Sequence, residues 1–119
     1  MTRTCLNEAS LHNARLDGAL LHESTLIGAV LTHACLEGAQ LVACNLSQAV
    51  CKGARFNDAN LDGCCLDQAN LQSCHFERAH MADLSAVQAA LEGANLDDAD
   101  LTCSRLDGSQ ADSHTTLRR

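Results

Sequence analysis

Cysteine and histidine are the residue types in this chain that could bind a metal ion or act in nucleophilic catalysis. The chain holds eight cysteines and six histidines, but no two cysteines are separated by two residues, the spacing typical of zinc sites. Cys74 directly precedes His75, yet adjacent residues of an extended chain point in opposite directions, so we do not expect a nucleophile–base pair. The sequence therefore predicts no metal site, no cofactor and no enzyme activity.

The carboxylates are distributed unevenly along the chain of 119 residues. Residues 1–56 hold four acidic and four basic residues, whereas residues 57–112 hold eleven acidic residues against Arg78 and Arg105. With a net charge of −7, the chain is not expected to bind nucleic acid directly, because such binding needs clustered lysine and arginine. No apolar run approaches the ~20 residues of a membrane span, so no membrane partner is expected either.

The length of the chain predicts a single domain, and its first residues predict the compartment. A chain of this length is typical of one compact unit. The first residues lack the continuous apolar stretch of a signal peptide, which favours a cytoplasmic location. In that reducing compartment the cysteines are expected to be free thiols.

A strict period of five residues dominates the sequence. Counting in steps of five from Leu6 to Ala111 gives 22 positions, here called centres, of which 16 are leucine. The residue two before each centre is alanine in 14 of the 22 units, and all seven glycines lie two residues after a centre. This regularity, which no insertion interrupts, predicts a repeat protein.

Neither common secondary structure fits this period. Five residues of an α-helix turn through about 500°, so successive centres would spread around the helix instead of forming one apolar stripe. In a β-strand an odd period would send successive centres to opposite sides of the sheet. Leucine and alanine can both point inward only if the chain bends once per unit, and glycine suits such a bend because it tolerates positive φ.

The sequence resembles the pentapeptide-repeat family, whose consensus is A(D/N)LXX. Matching units are Ala59-Asn60-Leu61, Ala69-Asn70-Leu71, Ala94-Asn95-Leu96 and Ala99-Asp100-Leu101. The resemblance implies an all-β fold, a right-handed quadrilateral parallel β-helix of about 5.5 coils with about 20 residues per coil. It divides the chain into an N-terminal lead-in, residues 1–3, the β-helix, residues 4–113, and a C-terminal tail, residues 114–119.

A coil of about 20 residues also explains how the small residues are distributed, because residues 20 apart then stack. The side whose centres begin with Leu21 has alanine two residues before every centre, whereas the side that begins with Leu6 has none there. Its residues at that position are Thr4, Ser24, Cys44, Cys64, Leu84 and Ser104. We expect a different bend and slightly more space at that corner.

The segment around Leu84 allows two interpretations. Leu84 and the centre Ala86 exchange large and small residues within one unit, which keeps the enclosed volume nearly constant. The alternative is a short helix from Asp83 to Leu91, which Asp83 could cap. The intact period on both sides favours the β-helix.

The period also assigns side chains to the interior or the surface. The centres Phe56 and Phe76 are one coil apart, so their rings are expected to stack inside the tube. Inward positions hold Cys44, Cys51, Cys64 and Cys74, and outward positions hold Cys5, Cys35, Cys65 and Cys103. No disulfide between Cys44 and Cys64 is expected, because stacked side chains in parallel register point the same way.

The outward carboxylates form lines along the coil axis. Directly after the centres of one side stand Asp17, Glu37, Asn57, Glu77 and Asp97, with Asp58 and Asp98 beside them and Arg78 between. Our candidate partner-binding surface is Asp17, Glu37, Asp58, Glu77, Asp97 and Asp98, extended by Asp62, Asp67, Asp100, Asp107 and Asp112. The alternative is a solvated surface that only maintains solubility, with arginines that pair with the carboxylates and weaken the field.

The ends of the predicted coil need a cover. An open solenoid end exposes apolar side chains and unpaired strand edges, and residues 112–119 are too polar for a capping helix. We therefore expect at least one end to be covered by a partner or by a second copy, giving a homodimer through an uncapped coil end.

Two functions are consistent with these features. The first is a non-catalytic protein-binding or scaffold module that presents flat β-helix faces to a protein partner of unknown identity. The second follows from the resemblance, which also implies a bacterial protein: an acidic rod that mimics DNA and inhibits or protects DNA gyrase or another type II topoisomerase. The chain lacks the projecting loops and the C-terminal helix of the quinolone-resistance members, which favours the first function.

Overall fold

The computed structural model describes residues 3–113 and 115–116. They form a right-handed quadrilateral β-helix, which confirms the predicted fold. Each strand is a single residue, the one directly before a centre, and it pairs in parallel with the residue 20 positions further along, as Cys5 does with Thr25. The protein measures 34 × 23 × 21 Å along its principal axes.

The paired residues form four columns along the coil axis, and we number the four sides of the coil after them. Column one is Cys5, Thr25, Asn45, Cys65, Ser85 and Arg105, and column two is Ser10, Val30, Val50, Asn70, Ala90 and Gln110. Column three is Arg15, Cys35, Arg55, His75, Asn95 and Thr116, and column four is Leu20, Gln40, Asn60, His80 and Asp100.

The chain turns a corner after every centre. At the first corner the Ala9 amide donates to the Leu6 carbonyl at 3.0 Å, and Glu8, the third residue of the turn, has φ of 61°. A left-handed third residue is the signature of a type II turn. All seven glycines have positive φ at this turn position, and so do 15 residues of other types, which confirms that the period of five arises from one bend per unit.

Backbone hydrogen bonds join each coil to its neighbours. The Thr25 amide donates to the Thr4 carbonyl at 2.9 Å, the Leu6 amide to the Thr25 carbonyl at 2.7 Å and the Glu8 amide to the Ile27 carbonyl at 2.8 Å. The same three bonds recur in unit after unit, so the backbone polar groups of the inner coils are satisfied by the coils above and below.

The expected difference in bend at the corner before side one is wrong. The same turn bond forms there in every described unit except that of Leu84, for example from the Ser24 amide to the Leu21 carbonyl at 3.1 Å. The cysteines at this corner bond to the coil below: the Cys44 thiol donates to the Leu21 carbonyl at 2.7 Å and the Cys64 thiol to the Leu41 carbonyl at 2.8 Å. Cys74, at the same position before side three, donates to the Cys51 carbonyl at 2.8 Å. Cysteine at this turn position is therefore held by a hydrogen bond that alanine cannot make.

The unit at Leu84 keeps the β-helical path. Ser85 pairs with Cys65, and both Leu84 and Ala86 are buried, so the alternative helix from Asp83 to Leu91 is wrong. Its turn is adjusted locally, because the Leu84 amide donates to Ser104 Oγ at 3.3 Å and that hydroxyl donates to the Met81 carbonyl.

Leucine, alanine, phenylalanine and buried cysteine fill the interior of the tube. Between Leu21 and Ala99, every centre and every residue two before a centre is buried. The Phe56 and Phe76 rings are stacked, with centroids 5.2 Å apart and planes 8° from parallel, which confirms the prediction. No helix long and apolar enough to cross a membrane occurs in the described part of the chain.

The last coil continues past residue 113. Thr116 pairs with Asn95, 21 positions earlier, so this coil accommodates one extra residue. At the other end the Arg3 amide donates to the His22 carbonyl at 2.9 Å, so Arg3 already belongs to the first coil. Of the predicted lead-in and tail, residues 1–2, 114 and 117–119 lie outside the described residues.

The left-handed turn residues provide a test of the fold. Gly38 has φ of +68° with no atom within 4 Å of the position of an added Cβ, and Ala43 has φ of 60° at the next corner. We expect Gly38→Ala to destabilise the protein and Ala43→Gly to stabilise it, each by about 1 kcal/mol, because only glycine occupies this region without strain. Urea unfolding followed by circular dichroism measures both changes, and a change of the same sign in both variants would contradict the turn geometry.

Candidate functional surface

Carboxylates converge on the C-terminal half of side four. Asp100 lies on side four itself, in column four. The corner between sides three and four holds Asp58, Glu77, Asp97 and Asp98. The corner between sides four and one holds Asp62 and Asp83. We call these seven residues the acidic face. Arg78 and His80 lie among them, so carboxylates outnumber basic side chains on this face.

Asp62 and Asp100 are oriented by the backbone. Asp62 Oδ1 accepts from the Ala82 amide of the next coil at 2.9 Å. Asp100 Oδ1 accepts from the Thr102 amide at 3.0 Å and from the Thr102 hydroxyl at 2.5 Å. These bonds reduce the freedom of both carboxylates before any partner binds, which lowers the entropic cost of binding.

Asp83 and Asp98 are exposed carboxylates at the third position of their turns, with φ of 56° and 60°. Neither makes an ion pair with a basic side chain in the described part of the chain. Asp83 was not among the predicted surface residues. Its place could have been found from the sequence, because it stands two residues after the centre Met81, in the same corner as Asp62.

Asp58 is partly neutralised within the face. Arg78 donates to its two carboxylate oxygens at 2.9 and 3.1 Å. These hydrogen bonds, with the charge of Arg78, lower the pKa of Asp58 below its usual value. Arg78 therefore divides the acidic corner, as the sequence indicated.

Glu77 bonds to side chains of its own coil and of the coil below, and most of its side chain is buried. Its carboxylate accepts a hydrogen bond from Asn57 Nδ2 in the coil below, and Oε1 lies 3.3 Å from His75 Nδ1. Only 18% of its side chain is exposed. Among the predicted residues, Glu77 is the one whose replacement would disturb packing as well as charge.

Asp17 and Glu37 lie in the same corner, in the N-terminal coils, where basic side chains accompany them. Glu37 Oε1 lies 2.6 Å from Arg55 Nη2, and Asp17 Oδ2 lies 3.9 Å from Arg15 Nη2. Asp17 Oδ1 also accepts from the Glu37 amide at 3.1 Å. The structure therefore separates these two predicted residues from the negative C-terminal half.

Three residues predicted to extend the patch lie on other corners. Asp67 and Asp107 stand between sides one and two, and Asp112 stands between sides two and three. Asp67 Oδ1 accepts from the Ser85 hydroxyl at 2.5 Å and from the Val87 amide at 2.9 Å, while Asp107 pairs with Arg105 at 3.1 Å. The prediction of one continuous patch that includes them is wrong, because the coil turns them away from side four.

The cysteines occupy the positions that the period predicted. All eight are free; Cys44, Cys51, Cys64 and Cys74 are buried, and Cys5 and Cys103 are exposed. Burial raises the pKa of Cys51 to about 12 and raises that of Cys74. Residues 3–113 and 115–116 contain no cluster of three potential metal ligands and no pocket.

A family model of pentapeptide repeats matches residues 4–41, 36–72 and 74–110, in eight copies. The chain belongs to the pentapeptide-repeat family. This membership confirms the resemblance noted in the sequence. A comparison with curated proteins found no match.

Solved structures of other pentapeptide-repeat proteins resemble this one. Rfr23 from the cyanobacterium Cyanothece 51142 has 20% sequence identity and a TM-score of 0.72, over 98% of this chain and 89% of that one. A protein of the Arabidopsis thaliana thylakoid lumen has 28% identity and a TM-score of 0.61, over 82% of this chain and 63% of that one, so this chain spans less than two thirds of its length. A protein of Nostoc has 27% identity and a TM-score of 0.50, over 80% of this chain and 74% of that one.

Thiol reactivity tests the assignment of inward and outward cysteines in this pentapeptide-repeat protein. The Asn7 backbone amide and the Thr25 hydroxyl stabilise the thiolate and lower the pKa of Cys5. We expect exposed Cys5 and Cys103 to react first with an aromatic disulfide reagent near neutral pH, and the four buried thiols to react only on unfolding. Peptide mapping of the labelled sites measures this order, and early labelling of Cys51 or Cys74 would contradict the packing.

Proposed function

We propose that this protein is a non-catalytic protein-binding module whose acidic face docks a partner with a basic surface. The observation that carries the proposal is the convergence of seven carboxylates on one flat side and the two corners that flank it, with Arg78 and His80 among them. In the N-terminal half of the same side, the corner carboxylates Asp17, Glu23 and Glu37 each lie close to an arginine, so the excess of carboxylates lies in the C-terminal half.

The rigidity of the scaffold supports this function. Every inner coil is bonded to both neighbours, so the carboxylates of successive coils are held at a spacing of roughly 4.8 Å. A preorganised array of charge loses little conformational freedom on binding and accelerates encounter with a basic partner. A flat wall without a cleft suits contact with a protein surface better than it suits a small ligand.

A second candidate is mimicry of DNA towards a type II topoisomerase such as DNA gyrase. The observation that favours it is the alignment of Glu77 with Asp97 along the coil axis, on a rod 34 Å long. DNA carries one charge per ~1.7 Å of axis, a higher density than coils spaced at roughly 4.8 Å provide. The pairing of Asp58 with Arg78 lowers the density further, which is why we rank this function second.

The proposal has two further parts. Free cysteines throughout the chain suit a reducing compartment, so we place the protein in the cytoplasm. Half-exposed core residues at the two ends of the coil support self-association into a homodimer through a coil end.

Charge reversal tests the acidic face. In the double variant Asp83→Lys with Asp98→Lys we expect at least tenfold weaker capture of a basic partner. The reason is that two lysines, which repel a basic surface, replace two carboxylates that make no ion pair in the described part of the chain. The control is Glu8→Lys with Gln88→Lys, which places lysine at the same turn position on the corner between sides one and two and raises the net charge by three instead of four. Affinity capture with the wild type and both variants, followed by titration of the captured protein at two salt concentrations, measures the effect. Equal retention by all three proteins would contradict the assignment of the acidic face.

A supercoiling assay decides between the two candidates. If the protein mimics DNA, it should inhibit gyrase or protect it from a quinolone, and the effect should weaken with salt because it depends on charge. The Asp83→Lys and Asp98→Lys variant should then lose the effect and the control variant should retain it. No effect at high protein concentration would eliminate DNA mimicry and leave the first function standing.

A further inference from the structure

Two buried thiols lie one above the other at the corner between sides four and one. Cys44 and Cys64 each stand two residues before a centre of side one, 20 positions apart, and each is 1% exposed. A hydrogen bond between the two side chains lowers the pKa of Cys44 and raises that of Cys64, so the two sulfur atoms are neighbours. The proposed acidic face makes no use of this pair.

The distance between coils is close to the separation of the two sulfur atoms in a linear, two-coordinate metal site. The Cys65 amide donates to the Cys44 carbonyl at 3.0 Å, which holds the two coils in parallel register at roughly 4.8 Å. A bond from a thiolate to a d¹⁰ metal ion is about 2.3 Å long, so two such bonds in line span about 4.6 Å. An ion midway between Cys44 Sγ and Cys64 Sγ can therefore bond to both.

The parallel register that suits a bridging ion disfavours a disulfide. A disulfide has a Cβ–Sγ–Sγ–Cβ dihedral angle of about ±90°, which requires the two Cβ–Sγ bonds to be perpendicular to each other. Stacked side chains in parallel register have nearly parallel Cβ–Sγ bonds, and both cysteines are free thiols. A linear ion needs no such twist, because each Cβ–Sγ bond can stand roughly perpendicular to the line through the ion.

Loss of the two thiol protons leaves no backbone carbonyl without a donor. The Leu21 carbonyl accepts from the Cys44 thiol at 2.7 Å and also from the Ser24 amide at 3.1 Å. The Leu41 carbonyl accepts from the Cys64 thiol at 2.8 Å and also from the Cys44 amide at 3.1 Å. Since each carbonyl keeps its turn bond, deprotonation does not incur the cost of an unsatisfied buried acceptor. A hydrogen bond from the Ser24 amide also favours the thiolate of Cys44.

We propose that Cys44 and Cys64 together bind one copper(I) ion in a linear site inside the β-helix. Thiolates select soft ions such as copper(I), whereas carboxylates and carbonyls suit magnesium and calcium. Structural zinc sites take four protein ligands, and this pair supplies two. On binding, two S–H bonds break, two copper–sulfur bonds form and two protons pass to the solvent, without electron transfer. The site lies in the interior and is independent of the acidic face.

Cys74 provides the matched control. It occupies the same turn position before side three, and its thiol donates to the Cys51 carbonyl at 2.8 Å, as the paired thiols do to leucine carbonyls. The residues 20 positions before and after it are Ala54 and Ala94. Cys51 is a centre on side two, so it is not stacked with Cys74 along the coil axis. Cys74 is thus a buried thiol with the same hydrogen bond and no sulfur in register above or below it.

Copper content and coordination measure the site. The starting protein is a variant in which the outward cysteines are replaced by serine, because exposed thiols also bind copper(I); they are Cys5, Cys35, Cys65 and Cys103. It is refolded from urea without oxygen in the presence of the copper(I)–glutathione complex, so that burial does not limit loading, and is then desalted. We expect about one copper ion per chain by mass spectrometry of the metal, with two sulfur neighbours by X-ray absorption. A parallel sample refolded with zinc should retain none.

Single replacements test whether both thiols hold the ion. Added to the serine variant, Cys44→Ala and Cys64→Ala should each reduce the retained copper at least ~tenfold, because one thiolate leaves the ion without its second protein ligand. Cys74→Ala should retain the copper. Alanine fills this turn position in 14 of the 22 units, so all three variants are expected to fold, which circular dichroism checks. If an alanine variant does not fold, Cys64→Ser keeps a hydroxyl donor, as Ser104 does at this corner, and should lose the copper equally.

Thermal unfolding provides a second readout. An ion that binds only the folded chain stabilises it, so copper should raise the melting temperature of the serine variant and of Cys74→Ala, and leave that of Cys64→Ala unchanged. The proposal would be overturned if the serine variant retained no copper, if Cys74→Ala lost as much as Cys64→Ala, or if the ion had more than two sulfur neighbours. Preferential retention of zinc would overturn the assignment to copper(I).

Discussion

One backbone constraint underlies the whole structure: every fifth residue occupies the left-handed region so that the chain can turn once per unit. Residues other than glycine enter this region at a cost of about 1–2 kcal/mol each, and 15 of the turns in this protein use such residues. The cost is offset because each turn aligns backbone groups with the coils above and below and places a leucine and a small residue inside. If the turns failed, neither the hydrogen bonds between coils nor the enclosed core could form.

Stacking at an interval of 20 residues also determines the electrostatics of the surface. An outward carboxylate lies next to the residue 20 positions away in the sequence. Several carboxylates accept a hydrogen bond from the backbone amide of that residue, as Asp17 does from Glu37 and Asp62 does from Ala82. Other carboxylates meet an arginine, as Asp58 meets Arg78. The charge available to a partner therefore depends on which residue follows one coil later, and it cannot be obtained from the number of acidic residues alone.

The comparison of sequence and structure shows which properties a strict period predicts. The period assigned the inward and outward sides correctly, as the stacked Phe56 and Phe76 and the buried Cys51 show, because these assignments depend only on position within the unit. It did not predict the hydrogen bonds of the inward cysteines, since the bond from Cys44 to the Leu21 carbonyl joins two different coils. It also grouped Asp67 with the acidic surface, although the coil places Asp67 on a different corner.

The two halves of the chain differ in their charge along the coil axis. Contacts in a solenoid reach only the neighbouring coils, so a change at one end leaves the structure of the other end largely unaffected. The N-terminal coils hold acidic and basic residues in equal number, whereas the C-terminal coils hold most of the carboxylates. The acidic face can therefore be altered by substitution without disturbing the core of the N-terminal coils, so the effect of its charge can be separated from the stability of the fold.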